Sequence, residues 1–449
     1  MKKRENVALK TFHGGVHPPE FKKLTETLIF EVMPAPQEIY IPLNQHLGKE
    51  AIASVKKGDS VSIGSILAEA DGFISAPIHS PVCGTVTSIS KQTTPTGFPQ
   101  QTIVIKTNEQ LENLFMSPLN PKTITPEEII ERVKNAGIVG QGGAAFPTYI
   151  KLTPPKDKQI EFVILNGCEC EPYLTRDYRF MIERPEAVIE GLTLFLKAMG
   201  VVKGYIGIED NKPEAIKIIT RAAENENNIE VFSLKTKYPQ GAEKMLVKAI
   251  TGREVPPGKL PLEVGTVIQN IGTAVAVYDA VVKGEPAVTA ALTVTGKGVK
   301  NPKNLLVPVG TPIKDVLDYC GGINGDAVKL IVGGPMMGVA QFDLMAPILK
   351  ATSGILVLTR EEVSRGEETA CLKCGQCIDV CPLNLMPTKL VRYTQLGRFE
   401  DAGLFGITVC MECGTCAYTC PANIPLVQWL RLGKQRVKQI QRQQAGLQN

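Results

Sequence analysis

The chain has 449 residues, 43% of them hydrophobic and 21% charged, with a formal net charge of +4 at pH 7. That length exceeds what a single core sustains, so several domains are expected, and so small a charge gives no reason to expect a nucleic-acid partner. No run of about 18 uninterrupted apolar residues occurs, which excludes a spanning helix; the best candidate, Ile189 to Ile208, is broken by Glu190, Lys197 and Lys203.

Met1 to Lys10 carries charges but no apolar stretch ending in a small-residue cleavage site, so a chain that stays in the cytoplasm is expected, soluble or peripheral to a membrane. Twelve cysteines in such a chain point to metal ligation rather than to a disulfide framework.

In chain order, residues 1–118 read as an N-terminal β-domain. Short strand-like runs such as Val55 to Leu67 and Ser75 to Thr87 are punctuated by Gly and Pro. A Pro-rich connector, Ser117 to Thr125, leads to a helix over Pro126 to Ala136, with Glu127 and Glu128 where the helix dipole favours acids. It opens a domain over 119–286, where buried strands (Phe162 to Leu165, Tyr205 to Ile208) alternate with helical periods (Pro185 to Met199, Lys212 to Glu224). This is the pattern of a mostly parallel α/β sandwich. Residues 287–358 read as a small α+β module with one helix at Pro312 to Cys320, and a cysteine-rich domain over 359–430 precedes a tail, 431–449.

Twice in that last domain the chain reads Cys-x-x-Cys-x-x-Cys-x-x-x-Cys-Pro, the run that holds 4Fe-4S clusters in bacterial ferredoxins, where the fourth cysteine serves the other cluster. Cys371, Cys374 and Cys377 are therefore paired with Cys420, and Cys410, Cys413 and Cys416 with Cys381. Paired zinc sites would use two Cys-x-x-Cys knuckles per ion and would not explain two endings in Cys-Pro. A helical stretch, Met386 to Gly403, is expected between the halves. Cys83 and Cys320 are read as buried small hydrophobes; Cys168 and Cys170 lie beside the next site. The four histidines, His13, His17, His46 and His79, show no paired ligand spacing and are read as hydrogen-bonded loop residues.

Gly140-Gln-Gly-Gly-Ala-Ala-Phe-Pro-Thr follows the helix of Pro126 to Ala136 and packs three glycines into four positions, a loop whose amides can close on an anion. A tight turn explains such a loop as well. With Asn166-Gly-Cys-Glu-Cys-Glu-Pro, Tyr238-Pro-Gln-Gly-Ala-Glu and Gln269-Asn-Ile-Gly-Thr, the region resembles the flavin-binding, NADH-oxidising subunit of respiratory complex I. The resemblance implies a Rossmann-like FMN/NADH domain in which Gly140, Gly142, Gly143, Lys151, Asn166, Glu169, Tyr238, Gly241, Asn270 and Thr273 face FMN. It gives Phe146, Glu171 and Glu243 catalytic places facing the nicotinamide nucleotide. Gln141 stands where that family has arginine, Ala145 where it has glycine, Cys168 where it has aspartate, and Ala242 for the first of two glutamates; losing the arginine removes a charge-assisted contact.

Phe12-His-Gly-Gly-Val-His-Pro-Pro, Pro42-Leu-Asn-Gln-His-Leu-Gly and Val55-Lys-Lys-Gly-Asp extend the likeness to nearly the whole chain, which resembles the RnfC family of the Rnf electron transport complex. The fold class expected is multidomain α/β plus α+β. It comprises a biotinyl/lipoyl-like barrel-sandwich β-domain, the FMN/NADH domain, a soluble-ligand-binding β-grasp module around Val309 to Gly338, and a mostly helical two-cluster ferredoxin domain. No lysine lies between Gly58 and Ser90, so a swinging-arm role for the β-domain is not expected.

The resemblance implies a translocase subunit that exchanges electrons between NAD(H), FMN and two 4Fe-4S clusters in ferredoxin:NAD oxidoreduction coupled to Na+ or H+ transport. The partners it implies are the other Rnf subunits, ferredoxin through them, and no nucleic acid, with peripheral attachment at the cytoplasmic face of the cell membrane. The tail residues Arg431, Lys434, Arg436, Lys438 and Arg442 could meet anionic lipid, or lie on a solvated helix. Two other readings stay open: a soluble, cobalamin-reductase-like flavin and iron–sulfur reductase, and an electron-transfer adaptor whose nucleotide site has decayed.

Overall fold

The computed structural model describes residues 9–446 apart from 96, 110, 111, 364 and 365, so most of the Met1 to Lys10 segment and the last three tail residues lie outside it. In the N-terminal region, Glu38–Pro42, Pro99–Thr107, Gly84–Thr93 and Ser60–Val61 form a four-stranded antiparallel sheet in that order. It faces a second sheet of Ile52–Ala53, Ile66–Glu69 and Ile78–His79. Alternation along the longer strands turns Ile39, Ile41, Ile103 and Ile105 inward, all fully buried.

The second region is built on a parallel sheet ordered Ile229–Leu234, Lys203–Glu209, Phe162–Gly167, Thr266–Asn270. Val163 and Leu165 pack on one face against the helices Pro126–Asn135, Pro185–Met199, Pro213–Ala222 and Ile271–Tyr278; Ile164 packs on the other against Glu243–Thr251. All four strands run the same way, so the strand-end residues Asn166, Glu209 and Asn270, and Tyr238 in the loop after Leu234, lie at one carboxyl edge. In an open parallel sheet that edge is where ligands sit.

The third region is a six-stranded sheet ordered Phe30–Val32, Lys303–Pro308, Thr289–Thr295, Gly354–Thr359, Ala327–Val332, Val339–Gln341, with the helix Ile313–Tyr319. Its first strand comes from the N-terminal region, pairing Phe30 with Asn304 and Val32 with Leu306. Residues 1–118 thus do not all belong to one β-domain: three residues are too few to carry an alternating pattern, and the partner lies far along the chain. The core is shared too, because Ile39, Leu67 and Ile105 join Leu292, Val307, Ile313 and Ile355 in one buried cluster.

The cysteine-rich region carries, in chain order, the helices Arg360–Val363, Gln376–Asp379, Pro387–Gln395, Phe399–Leu404, Thr415–Tyr418 and Leu426–Gly446. The helical stretch expected over Met386 to Gly403 is made of two helices, with Gly397 left-handed between them (φ 68°). The last helix runs through residue 430 without a break, so the basic residues continue a packed helix whose Leu426, Leu430 and Val437 are buried. Among the described residues no helix is long and apolar enough to cross a membrane.

Candidate redox site

At the carboxyl edge of the parallel sheet the glycine loop is closed on itself, Gly140 donating its amide to the Phe146 carbonyl (2.9 Å), while Gly142, Gly143 and Ala144 stay exposed. A Cβ on Gly142 would stand 2.9 Å from the Asn270 side-chain nitrogen, whereas one on Gly143 would meet nothing within 4 Å. The loop therefore leans on Asn270 and presents bare backbone outward, as a cradle for an anion does.

It is locked from behind. Gln141 donates its amide to Thr273 Oγ1 (3.0 Å) and accepts at its carbonyl from Arg176 Nη2 (2.6 Å). Arg176 pairs with Asp177 (3.1 Å), whose other oxygen accepts from Asn270 Nδ2 (2.6 Å), and Asn270 Oδ1 caps Gly272 of the following helix (2.8 Å). Arg176 is 2% exposed and is a site residue that sequence reasoning missed; a buried arginine is held only when paired, so Arg-Asp after a buried strand is the signal it left.

Asn166 Nδ2 donates to the Gly241 carbonyl (2.7 Å), and a Cβ on Gly241 would stand 3.2 Å from Cys170 Sγ and 3.3 Å from Asn166 Oδ1. Gly241 is thus a second point where backbone must pass close. Lys151 and Glu243, expected on opposite ligands, are an ion pair (2.7 Å), with Lys151 also donating to the Ile268 carbonyl (3.0 Å). Phe146 sits half-buried at the rim of the loop.

Other expected site residues are engaged inside the protein. Both Glu171 oxygens accept from the amides of Met336 (3.0 Å) and Met337 (2.9 Å), so the loop of residues 333–338, not open space for a nucleotide, receives that carboxylate. Gly334 makes this possible, since a Cβ there would lie 2.3 Å from Glu171 Oε2. Burial pushes the Glu171 carboxyl up to about 7. Glu169 accepts from the amides of Asp177 (2.7 Å) and Tyr178 (3.3 Å), and its pKa is raised by burial and drawn back by Lys22. Lys22 in turn donates to the carbonyls of Glu169 (2.9 Å), Glu171 (3.0 Å) and Leu174 (2.6 Å). Thr273 is fully buried behind the loop. Tyr238, also buried, turns its hydroxyl to the Cys413 carbonyl (2.8 Å).

The two cysteine runs adopt one backbone conformation. Lys373 and Glu412, Gly375 and Gly414, and Asn384 and Asn423 all take left-handed φ at matched positions. The amides two residues on reach back to sulfur, Lys373 to Cys371 and Glu412 to Cys410, both 3.4 Å, and Leu385 donates to Cys381 Sγ at 3.4 Å. Cys381, Cys410, Cys413 and Cys416 line one cavity with Leu390 and Val427. Burial raises the thiols of Cys410, up to about 11, and of Cys413 and Cys416, and the charge of Cys381 adds to the rise in all three. For Cys377 burial again dominates, with Cys420 and Cys371 adding to it. Cys381 thus lines the cavity of the second run, and Cys420 lies near Cys377 of the first. The first group opens to solvent through Cys371 and Cys374, whereas Cys381, Cys413 and Cys416 are buried.

Four family models match the chain: the RnfC barrel sandwich hybrid domain over 10–110, the Nuo51 FMN-binding domain over 133–279, the SLBB domain over 292–340 and a 4Fe-4S dicluster domain over 364–439. The C component of the proton-translocating ferredoxin:NAD(+) oxidoreductase complex of Clostridium ljungdahlii is 46% identical over 398 residues, 88% of this chain and 86% of that protein. The Na(+)-translocating counterpart of Acetobacterium woodii is 42% identical, covering 88% of this chain and 90% of that protein. The C component of the ion-translocating oxidoreductase complex of Rhodobacter capsulatus is 41% identical, covering 96% and 84%.

An FMN-binding α/β domain joined to paired cysteine quartets defines a two-cluster iron–sulfur flavoprotein, with FMN and two 4Fe-4S clusters as cofactors. The chain spans most of each of these relatives, and it belongs to the RnfC family, one of the components of the Rnf-type, ion-translocating ferredoxin:NAD(+) oxidoreductase complexes.

Proposed function

We propose that this chain is the electron-transfer subunit through which a ferredoxin:NAD oxidoreductase complex exchanges electrons with NAD(H), coupled in the assembled complex to Na+ or H+ translocation. The observation that carries the reading is the joint at Tyr238 and Cys413, where the buried cysteine quartet meets the carboxyl edge of the flavin domain. Bound FMN supplies exchange between a hydride pair and single electrons, and the clusters relay electrons singly.

The chain's own residues then have distinct tasks. Gly140, Gly142, Gly143, Gly241 and Asn166 form the cradle for FMN, with Asn270, Thr273 and Arg176 bracing it from behind; Phe146 offers an apolar rim to a nicotinamide. The quartet of Cys381, Cys410, Cys413 and Cys416 is proximal to the flavin, and that of Cys371, Cys374, Cys377 and Cys420 is the outlet to a partner. Attachment is peripheral, at the cytoplasmic face, through the other subunits of the complex, with ferredoxin engaged through them. Residues 30–32 are assigned to the β-grasp module, and the tail to the ferredoxin domain.

The adaptor reading has its own support, because Glu171 and Glu243, the acids expected to meet the nucleotide, are engaged by Met336, Met337 and Lys151. Anaerobic spectroscopy of the cluster-reconstituted protein with FMN decides between the two. Bleaching of the flavin band by NADH, followed by the clusters, is expected. Clusters that bleach with dithionite while bound flavin ignores NADH would install the adaptor in its place.

A further inference from the structure

The segment Phe12–Val16 lies outside every role assigned so far, yet it crosses the joint between flavin edge and proximal quartet. The Gly15 amide donates to the carbonyl of Val380, next to Cys381 (2.9 Å), and Val16 and Tyr238 exchange both backbone hydrogen bonds, each 2.8 Å. Lys237 fastens the other end, donating to the Phe12 carbonyl (2.9 Å) with its ammonium 4.6 Å from the ring centroid.

Both glycines are left-handed, φ 76° and 81°. A Cβ on Gly14 would stand 3.1 Å from the Val380 oxygen and 3.2 Å from the Cys381 carbonyl, and one on Gly15 would stand 2.6 Å from the Tyr238 oxygen. Only bare backbone passes through this gap. Tyr238 completes the link through its hydroxyl to the Cys413 carbonyl. Around it Val16, Tyr238 and Cys413 pack with Cys170, Met336, Val380 and Met411 into one apolar cluster, and Cys170 Sγ accepts from the Gly241 amide of the cradle (3.3 Å).

Cys413 through its carbonyl, and Cys381 through its neighbour Val380 and the strap, are thus both linked to a single tyrosine of the flavin domain. We propose that Tyr238 and the strap Phe12–Val16 are positioning residues that set the separation of flavin and proximal cluster and keep water out of it, and that the Tyr238 hydroxyl tunes that cluster's potential. This rests on the reading above that the two centres exchange electrons. The transfer moves one electron and no atoms, so its rate depends on distance and on what fills the gap. The hydroxyl reaches the Cys413 carbonyl and not a sulfur, so it acts on the cluster as a dipole whose positive end favours the more negative, reduced state, and its removal lowers the potential.

The test uses full-length protein with FMN and both clusters, comparing Tyr238→Phe and Gly15→Ala with the parent. The readouts are EPR-monitored redox titration and the rate of cluster bleaching after the flavin is photoreduced without nucleotide. Tyr238→Phe is expected to lower the midpoint potential of the proximal cluster alone, and both variants to slow cluster bleaching several-fold at parental iron content. Unchanged potential and bleaching rate in Tyr238→Phe would overturn the proposal, as would equal shifts at both clusters. Because light replaces NADH, a parent flavin that NADH fails to reduce counts against the proposed function alone.

Discussion

Glu171 holds a carboxylate out of water between two main-chain amides, and with a folded pKa near 7 it binds a proton that the unfolded chain, at the ordinary 4.5, has already released. Between those values the native state carries more protons, so stability falls as pH rises through that window. The thermal midpoint of the wild-type chain relative to Glu171→Gln is therefore expected to drop as pH rises from about 5 to about 8; a flat difference would mean the carboxyl titrates normally.

Cysteine pairing gives a second expectation at this scale. Cys381→Ser should remove the proximal cluster and leave that of Cys371, while Cys420→Ser does the reverse, each leaving about four irons of about eight. EPR of the reduced variants distinguishes which cluster survives. The two cysteine runs were legible in the sequence because each run's spacing is local, while the exchange of fourth cysteines follows the bacterial-ferredoxin pattern. Glu171 was not, because Met336, which takes its carboxylate, is 165 residues away, nor was Tyr238, 175 residues from Cys413.

Helices show the same division between local and distant causes. The helix Pro126–Asn135 begins as its sequence dictates, with Thr125 and Glu128 exchanging side-chain and backbone hydrogen bonds in a capping box and proline in the first turn. The helix Pro185–Met199 ends at left-handed Gly200, within the span its periodicity sets. Why a glycine, Gly191, stands inside that helix was not visible. The structure supplies the reason: a Cβ there would lie 2.3 Å from the Ala274 carbonyl oxygen, so the glycine lets this helix press against Ile271–Tyr278 behind the cradle. Gly191→Ala is expected to cost about 1–3 kcal/mol by overpacking, read as a lower urea midpoint, and to weaken FMN binding by displacing Asn270. The strand Phe30–Val32 left no trace in the sequence, being too short for periodicity and paired far away.

Taken whole, the order of domains was readable and their interlocking was not, because composition and motif mark what a segment is and not what it leans on. The flavin domain owns a core that includes Val163, Leu192 and Phe195, whereas the ferredoxin domain's core contains the ligands Cys377 and Cys416 themselves. Removing the metal should therefore unfold the second and spare the first, since buried thiols without iron lose their cross-link. Calorimetry after iron chelation is expected to show loss of one transition with the flavin-domain transition retained. During controlled exposure to air the cluster at exposed Cys371 and Cys374 should disappear before the one at buried Cys413 and Cys416, which EPR follows directly.

The strand pairing of Phe30–Val32 with Asn304–Leu306 also bears on how the protein is made. On the ribosome these early residues emerge long before their partners, and at roughly 5–20 residues per second they wait many seconds. The strap waits longer still, since Val380, which Gly15 grips, comes 365 residues later (380 − 15). The segment that locks the flavin domain to the chain beside Cys381 can thus close only once Val380 has been synthesised, which makes this joint one of the late steps in assembling the fold.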